Sequence, residues 1–321
     1  MNNHKSLLAF SVAIPTYNGA ERLDLLLEKI QLQKGTENIS WEVIIIDNNS
    51  TDNTKKIVES YQANWQCSFP LRYCFEPKQG LAFARQRAVK ESQGKFVGFL
   101  DDDNCPAENW VISAYKFGAE NPRIGAYSGR IQADFEVKPD EELKPIFQFL
   151  AIREHGSQAK QFEPDNLRLP PGAGLVIRKQ AWDESVPDTP NLVGRVGSSF
   201  IGGEDYEILL YMHKAKWEIW YNPEMKIEHQ IPHWRLEKDY LLTLAYSYGL
   251  ATCHLLMINA KNWQKPLIIL RTFLGNLRRI IAHTLKHKGQ FNLNFAANFY
   301  LRFFLGSMIS PFDFLRKQIQ W

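Results

Sequence analysis

The stretch Lys95–Asn104, KFVGFLDDDN, constrains this chain more than any other. An apolar run, Phe96–Leu100, ends abruptly in Asp101, Asp102 and Asp103. A short run of aromatic, β-branched and aliphatic residues reads as a buried strand of a parallel sheet. Carboxylates at its carboxyl end would lie where open α/β sheets bind ligands. Three adjacent carboxylates repel one another and need either solvent or a cation to relieve them. Mg²⁺ and Mn²⁺, which prefer hard oxygen ligands, are the matching cations. A solvated acidic turn is the alternative; the position after a buried strand favours a site.

The residues around this strand alternate strand and helix signals. Leu8–Ile14 is apolar and closes at the turn cluster Pro15-Thr16-Tyr17-Asn18-Gly19. Leu23, Leu26, Leu27 and Ile30 then recur at helical spacing. Trp41–Ile46 reads as a second buried strand ending at Asp47, and Asp52 or a neighbour as the cap of a helix carrying Ile57, Val58 and Tyr61. A strand at Leu71–Phe75 and a helix at Leu81–Glu91 lead to the aspartate strand. This order implies a parallel sheet with helices on both faces. Further on, Ile124–Ser128, Ile131–Phe135, Trp217–Tyr221 and Met225–His229 read as short strands, and Lys138–Arg168 as a polar, partly helical connection. Ile208, Leu209 and Met212 mark a helix after Gly202-Gly203-Glu204-Asp205.

Charge divides the chain. From Leu236 to the end there are 11 Lys/Arg against three Asp/Glu, so a net +3 overall hides a body of −5 and a tail of +8. Leu267, Leu270, Leu274, Leu277, Ile281 and Leu285 share one side of a helix, with Arg271, Arg278, Arg279 and Lys286 on the other. That is the profile of an interfacial or domain-packing helix, and Pro266–His287 is the expected contact with an anionic membrane surface. Nucleic acid explains the charge less well, because the basic residues alternate with a broad apolar face. No uninterrupted apolar run reaches bilayer length. Four cysteines without metal-ligand spacing fit a reduced, cytosolic chain, and the opening segment reads as a first strand in preference to a signal peptide.

Three acidic features follow predicted strands or open a helix: Asp47, Asp101–Asp103 and Glu204-Asp205. No Gly-rich phosphate loop is present, so an anionic ligand would need a metal and basic side chains such as Arg85 or Arg87. The ordered set VAIPTYNGAERLDLLLEKI, EVIIIDNNSTDNT, GLAFARQRAV, GKFVGFLDDDN and GGEDYEI resembles family 2 glycosyltransferases with a GT-A fold over roughly residues 8–230. Within that family it is similar to bacterial polysaccharide-assembly enzymes, among them the hormogonium polysaccharide branch of filamentous cyanobacteria. The resemblance divides the chain into a GT-A domain, residues 1–235, and a basic helical extension, residues 236–321.

The resemblance implies roles at matching positions. Pro15, Thr16 and Tyr17 would line a nucleotide base pocket, Asp47 would accept a hydrogen bond from the base, uracil by family preference, and Arg85 would approach the diphosphate. Asp101 and Asp103 form the DXD element and would be metal ligands, Asp103 the direct one, with Asp101 or Asp102 near the ribose. His229 would be a further metal contact, and Asp205 the catalytic base. Each has a plainer reading: Asp47 and Glu204-Asp205 as turn or helix caps, Tyr17 as core, His229 as a structural histidine, and Gly172-Ala173-Gly174 as a turn. Gln86 departs from the family pattern, in which asparagine often follows the arginine.

The expected activity is inverting transfer of a sugar from a UDP-linked donor to a glycan or lipid-linked glycan at the cytoplasmic membrane face. An aspartate-dependent phosphohydrolase is the enzymatic alternative, although Cys105 stands where such sites carry Thr or Val and the strand is fourth in order. A nucleotide-sugar-binding scaffold is the non-catalytic one.

Overall fold

The computed structural model describes residues 8–194 and 201–319. The first four strands and three helices are β1 (Leu8–Thr16), α1 (Leu23–Gln31), β2 (Trp41–Asp47), α2 (Thr54–Ala63), β3 (Leu71–Phe75), α3 (Leu81–Glu91) and β4 (Gly94–Phe99). They form the expected parallel array, in the order β3-β2-β1-β4. The helical spacing after the first turn is honoured: Leu23, Leu26, Leu27 and Ile30 are all buried under α1, each contributing about 2 kcal/mol by apolar transfer. Asp52 accepts from the Thr54 amide and hydroxyl at 2.9 and 2.5 Å, capping the approach to α2.

Beyond β4 the sheet is mixed, so the mainly parallel sheet expected for a GT-A fold carries antiparallel strands on this side. The next elements are β5 (Asn104–Pro106), α4 (Trp110–Glu120), β6 (Ile124–Phe135), β7 (Lys160–Gln161), β8 (Val176–Arg178), α5 (Lys179–Ser185), α6 (Glu204–Lys214) and β9 (Glu218–Ile231). β8 runs antiparallel to β4, and the sheet continues β8-β6-β9-β5. Two pairs of short strands expected from sequence are each one long strand, β6 and β9. The break in pattern is a bulge: the register jumps from Ser128↔Tyr221 to Arg130↔Lys226. Pro223 falls inside that irregularity, where its missing N–H costs no ladder bond.

Three helices follow: α7 (Lys238–Ile258), α8 (Lys265–Lys286) and α9 (Phe295–Ile319). α7 alone among the described residues has the length and hydropathy of a membrane span, and about half of it is buried inside the fold. It crosses α9 at Gly249 and Gly306, where an added Cβ on either would strike the backbone of the other helix. Polar pairs stitch the crossing: Thr252 with Ser307 at 3.0 Å, the Cys253 amide donating to Ser310 at 3.2 Å, and His254 Nε2 with Asp313 Oδ2 at 2.9 Å. α8 is turned inside out. Its buried residues are Thr272 and Asn276, whereas Leu267, Leu270, Leu274, Leu277, Ile281 and Leu285 are 36–73% exposed.

Candidate active site

The carboxyl ends of β1, β2 and β4 open into a cavity of about 540 Å³. Pro15, Thr16 and Tyr17 lie on its wall, with Tyr17 45% exposed and its ring free to stack. Asp101, Asp102, Asp103, Asp205, Arg85 and His229 also line it. The structure therefore gathers nine of the ten sequence-predicted site residues.

Asp47 is the exception. It is 2% exposed, and both carboxylate oxygens are taken: Oδ1 by the Ser50 amide at 2.9 Å and Oδ2 by the Tyr73 hydroxyl at 2.7 Å. These two contacts hold the loop after β2. The neighbour Asn48 reaches the cavity, clamped by donating to the Lys78 carbonyl at 2.8 Å and accepting from the Gly80 amide at 2.7 Å.

The three aspartates have three different partners. Asp102 accepts the Thr16 hydroxyl at 2.6 Å and a two-pronged contact from Arg22, Nε at 2.8 Å and Nη2 at 2.9 Å. Asp101 turns to Arg85, at 3.6 Å. Burial and the carboxylates of Asp103 and Asp102 push Asp101 up, against the pull of Arg85. Asp103 faces His229 and Arg235, with Oδ2 3.5 Å from His229 Nε2 and 2.9 Å from Arg235 Nη2. Burial alone would raise the Asp103 carboxyl; the Arg235 and Arg22 guanidinium charges nearby outweigh it and hold it low.

Backbone pairing explains the Asp103–His229 meeting. β5 begins one residue after Asp103 and pairs antiparallel with β9, Asn104 opposite His229. The Gln230 amide donates to the Asp103 carbonyl at 2.9 Å. His229 Nδ1 lies 3.1 Å from the Leu150 carbonyl, which can only accept, so Nδ1 carries the proton and Nε2 presents a lone pair. Asp103 Oδ2 and His229 Nε2 thus converge on one point, and a cationic guanidinium sits there. This donor pair fits Mn²⁺ or Mg²⁺ with the remaining positions left to phosphate and water. Asp101, expected as a third ligand, does not join them, and no group of three or more His, Cys, Asp or Glu is so arranged among the described residues.

Arg85, 1% exposed, is paired with carboxylates instead of standing free for an anion. Its guanidinium contacts Asp205 directly as well as Asp101. Asp205 sits in the first turn of α6 and accepts the Gly172 amide through Oδ2 at 2.8 Å. An added Cβ at Gly172 would overlap both Arg85 and Asp205, so this glycine serves a close approach. Glu207, in the same first turn, accepts from the Asn191 and Leu192 amides at 3.0 and 2.7 Å and ties those residues to α6. Arg87 points outward to Glu91 at 3.0 Å, and Gln86 donates to the Pro187 carbonyl at 3.1 Å.

Sequence reasoning missed Arg22, Asn48 and Arg235. It also missed the far wall of the cavity, where Tyr248, Ala251 and Leu255 of α7 and Phe303 of α9 face Phe149. Arg22, Asn48 and Arg235 carried no spacing signal, because each arrives from a different part of the chain, and the α7 residues are distant in sequence from the loops they face.

A family model described as glycosyl transferase family 2 matches residues 11–184, more than half of the chain. The chain is similar to the uncharacterized glycosyltransferase YfnE of Bacillus subtilis, 32% identical over 138 residues, covering 42% of this chain and 34% of that protein. It is also similar to the putative teichuronic acid biosynthesis glycosyltransferase TuaG of B. subtilis, 32% identical over 130 residues, covering 40% of this chain and 48% of TuaG. The matched segment spans about half or less of these relatives' length. Among solved structures, the mannosyltransferase PcManGT of Pyrobaculum calidifontis, in complex with GDP-Man and Mn²⁺, aligns with TM-score 0.62 and 17% identity over 98% of this chain and 89% of that one. GalNAc-T7 with UDP, GalNAc and Mn²⁺ aligns with TM-score 0.55 and 18% identity over 83% of this chain and 54% of that one. Such identities speak to the fold, which is GT-A. With a matching family model over more than half its length, the chain belongs to glycosyl transferase family 2.

Proposed function

We propose that this chain transfers a sugar, with inversion, from a UDP-linked donor to a hydroxyl of a growing polysaccharide or lipid-linked glycan. The observation that carries this reading is the separation of two carboxylate sites in one cavity. The loop after β4 faces His229, while Asp205 stands apart on α6, joined to that loop through Arg85. Sugar transfer from a diphosphate needs that division. Negative charge grows on the leaving phosphate while an oxocarbenium-like centre is attacked from the opposite face.

Asp103 and His229 would hold Mn²⁺ or Mg²⁺, whose positive charge offsets that of the departing diphosphate. Pro15, Tyr17 and Asn48 form the wall against which a base would stack and bond. Asp102, fixed by Thr16 and Arg22, faces the ribose side. Asp205 accepts the acceptor hydroxyl's proton as the oxygen attacks, its carboxylate oriented by Gly172 and Arg85. GalNAc-T7 with UDP and Mn²⁺ and PcManGT with GDP-Man and Mn²⁺, which share the fold, support a nucleotide-sugar and a divalent cation here.

The reading extends to location: peripheral attachment at the cytoplasmic face of an anionic membrane. The outward leucine face of α8, flanked by exposed Arg271, Arg278 and Arg279, supports it.

The test is donor-dependent thermal stabilisation and nucleoside diphosphate release across UDP-, GDP- and dTDP-sugars, with and without Mn²⁺. Stabilisation and turnover by a UDP-sugar are expected, with Asp205→Asn losing about 10³-fold in turnover and keeping UDP binding. Undiminished turnover by Asp205→Asn would remove the base assignment, and indifference to every donor would overturn the reading.

A further inference from the structure

The two atoms best placed to ligate a divalent cation are already engaged by a charge that belongs to the chain. Arg235 reaches in from the turn after β9. Its Nη1 lies 2.8 Å from His229 Nε2 and its Nη2 lies 2.9 Å from Asp103 Oδ2. A guanidinium can only donate, so Nε2 accepts with its lone pair, and Nδ1, which faces the Leu150 carbonyl, carries the ring proton. A lone pair held by an N–H cannot ligate a metal at the same time. We propose that Arg235 is an internal cation that occupies the Asp103–His229 pair and must be displaced when a divalent cation binds. The site then exchanges one cation for another. This inference rests on the reading of Asp103 and His229 as the metal ligands.

Three features make the exchange workable. Asp103 is almost fully buried, and a buried carboxylate left without a partner is costly, so the metal-free protein needs a resident positive charge. The resident is imperfectly satisfied: Arg235 Nε is buried without a hydrogen-bond partner among the described residues, a cost that departure from the pair relieves. The path out is short. Arg235 lies in the single turn His233–Leu236 between β9 and α7, no residue of that turn is buried, and Trp234 beside it is exposed. The side chain can therefore swing without opening the core.

A competitor of this kind weakens the affinity for metal alone. Mn²⁺ binding to the nucleotide-free full chain, measured by titration calorimetry and by the electron paramagnetic resonance of free Mn²⁺, reads it directly. Arg235→Gln, which removes the charge and the two-pronged contact, is expected to bind Mn²⁺ about tenfold tighter than the parent. Arg235→Lys keeps the charge but not the fork, and is expected to bind about threefold tighter, which separates displacement from simple charge repulsion. Asp103→Asn is expected to abolish binding. Equal affinity in the parent, Arg235→Gln and Arg235→Lys, with binding lost in Asp103→Asn, would overturn the exchange and leave the ligand assignment standing. Tighter binding by Arg235→Gln alone would also overturn the exchange, reducing Arg235 to a repelling charge. Undiminished binding in Asp103→Asn, or no binding in any variant, would overturn both.

Discussion

Arg85 and Asp205 meet on the floor of the cavity, a guanidinium from α3 against a carboxylate from α6, with Gly172 pressed over both. The same guanidinium reaches Asp101 at 3.6 Å, so one buried cation ties the aspartate loop to the proposed base. Removing it leaves two carboxylates facing each other with no counter-charge. Arg85→Leu is expected to cost about 3–5 kcal/mol of stability, read by urea denaturation. Arg85→Lys should fold but lose about 10²-fold in turnover, since a point charge cannot span both carboxylates.

Gly172→Ala places a methyl group where Arg85 and Asp205 already meet. Turnover is expected to fall about 100-fold through misplacement of the base, with UDP affinity changed less than threefold. A matched pair of turnover and UDP titration measurements checks the split; an equal loss in both would mean that the whole cavity had shifted.

Tyr73→Phe removes one of the two donors to the buried Asp47 carboxylate. Burial and that same carboxylate push the Tyr73 hydroxyl's pKa up, so it remains a donor at every working pH. The expected loss is about 1–3 kcal/mol in chemical denaturation. Asp47 is turned to Ser50 and Tyr73 and is not part of the cavity wall, so the base preference of the donor should not change.

Acid is expected to loosen the α7–α9 crossing. Burial holds His254 below its ordinary 6.5, against the opposing pull of Asp313. Burial would raise Asp313, but the His254 bond and Lys317 hold it below 3.8. Both folded values lie below the unfolded ones, so in each window the unfolded chain binds more protons and stability rises with pH. Stability should therefore fall as pH drops below 6.5, and again below 3.8. Thermal midpoints from pH 7.5 to 5.5 should fall more steeply in the parent than in His254→Gln.

The exposed leucines of α8 give the membrane reading its own test. Leu270→Glu combined with Leu274→Glu removes two apolar anchors of about 2 kcal/mol each. Binding to phosphatidylglycerol-containing vesicles in a flotation assay should drop by about 100-fold or more, with sugar transfer to a soluble acceptor retained. Unchanged vesicle binding would exclude α8 as the contact.

Elements with strong local periodicity were legible before any coordinates. The spacing of Leu23, Leu26, Leu27 and Ile30 gave α1 its buried face, and Leu71–Phe75 and Leu81–Glu91 match β3 and α3 residue for residue. The antiparallel half of the sheet was not legible. β6 and β9 look broken in sequence because a bulge around Gly129 and Pro223 interrupts their pattern, while long-range pairing keeps each strand whole. The partners of Asp47 were hidden for a related reason. A carboxylate after a strand looks the same whether it faces a ligand or a tyrosine from the next strand. Arg22 and Arg235 were invisible because their partners, Asp102 and Asp103, lie 80 and about 130 residues away.

The wall contributed by α7 has a consequence for how such a chain can diversify. Residues 11–184 hold the proposed nucleotide wall and the aspartate loop, whereas Asp205 of α6 and Tyr248 and Leu255 of α7 lie beyond them. The two ends of the cavity are thus written in successive stretches of one polypeptide. Drift or recombination in the later stretch can remodel what receives the sugar while the earlier stretch goes on recognising what delivers it.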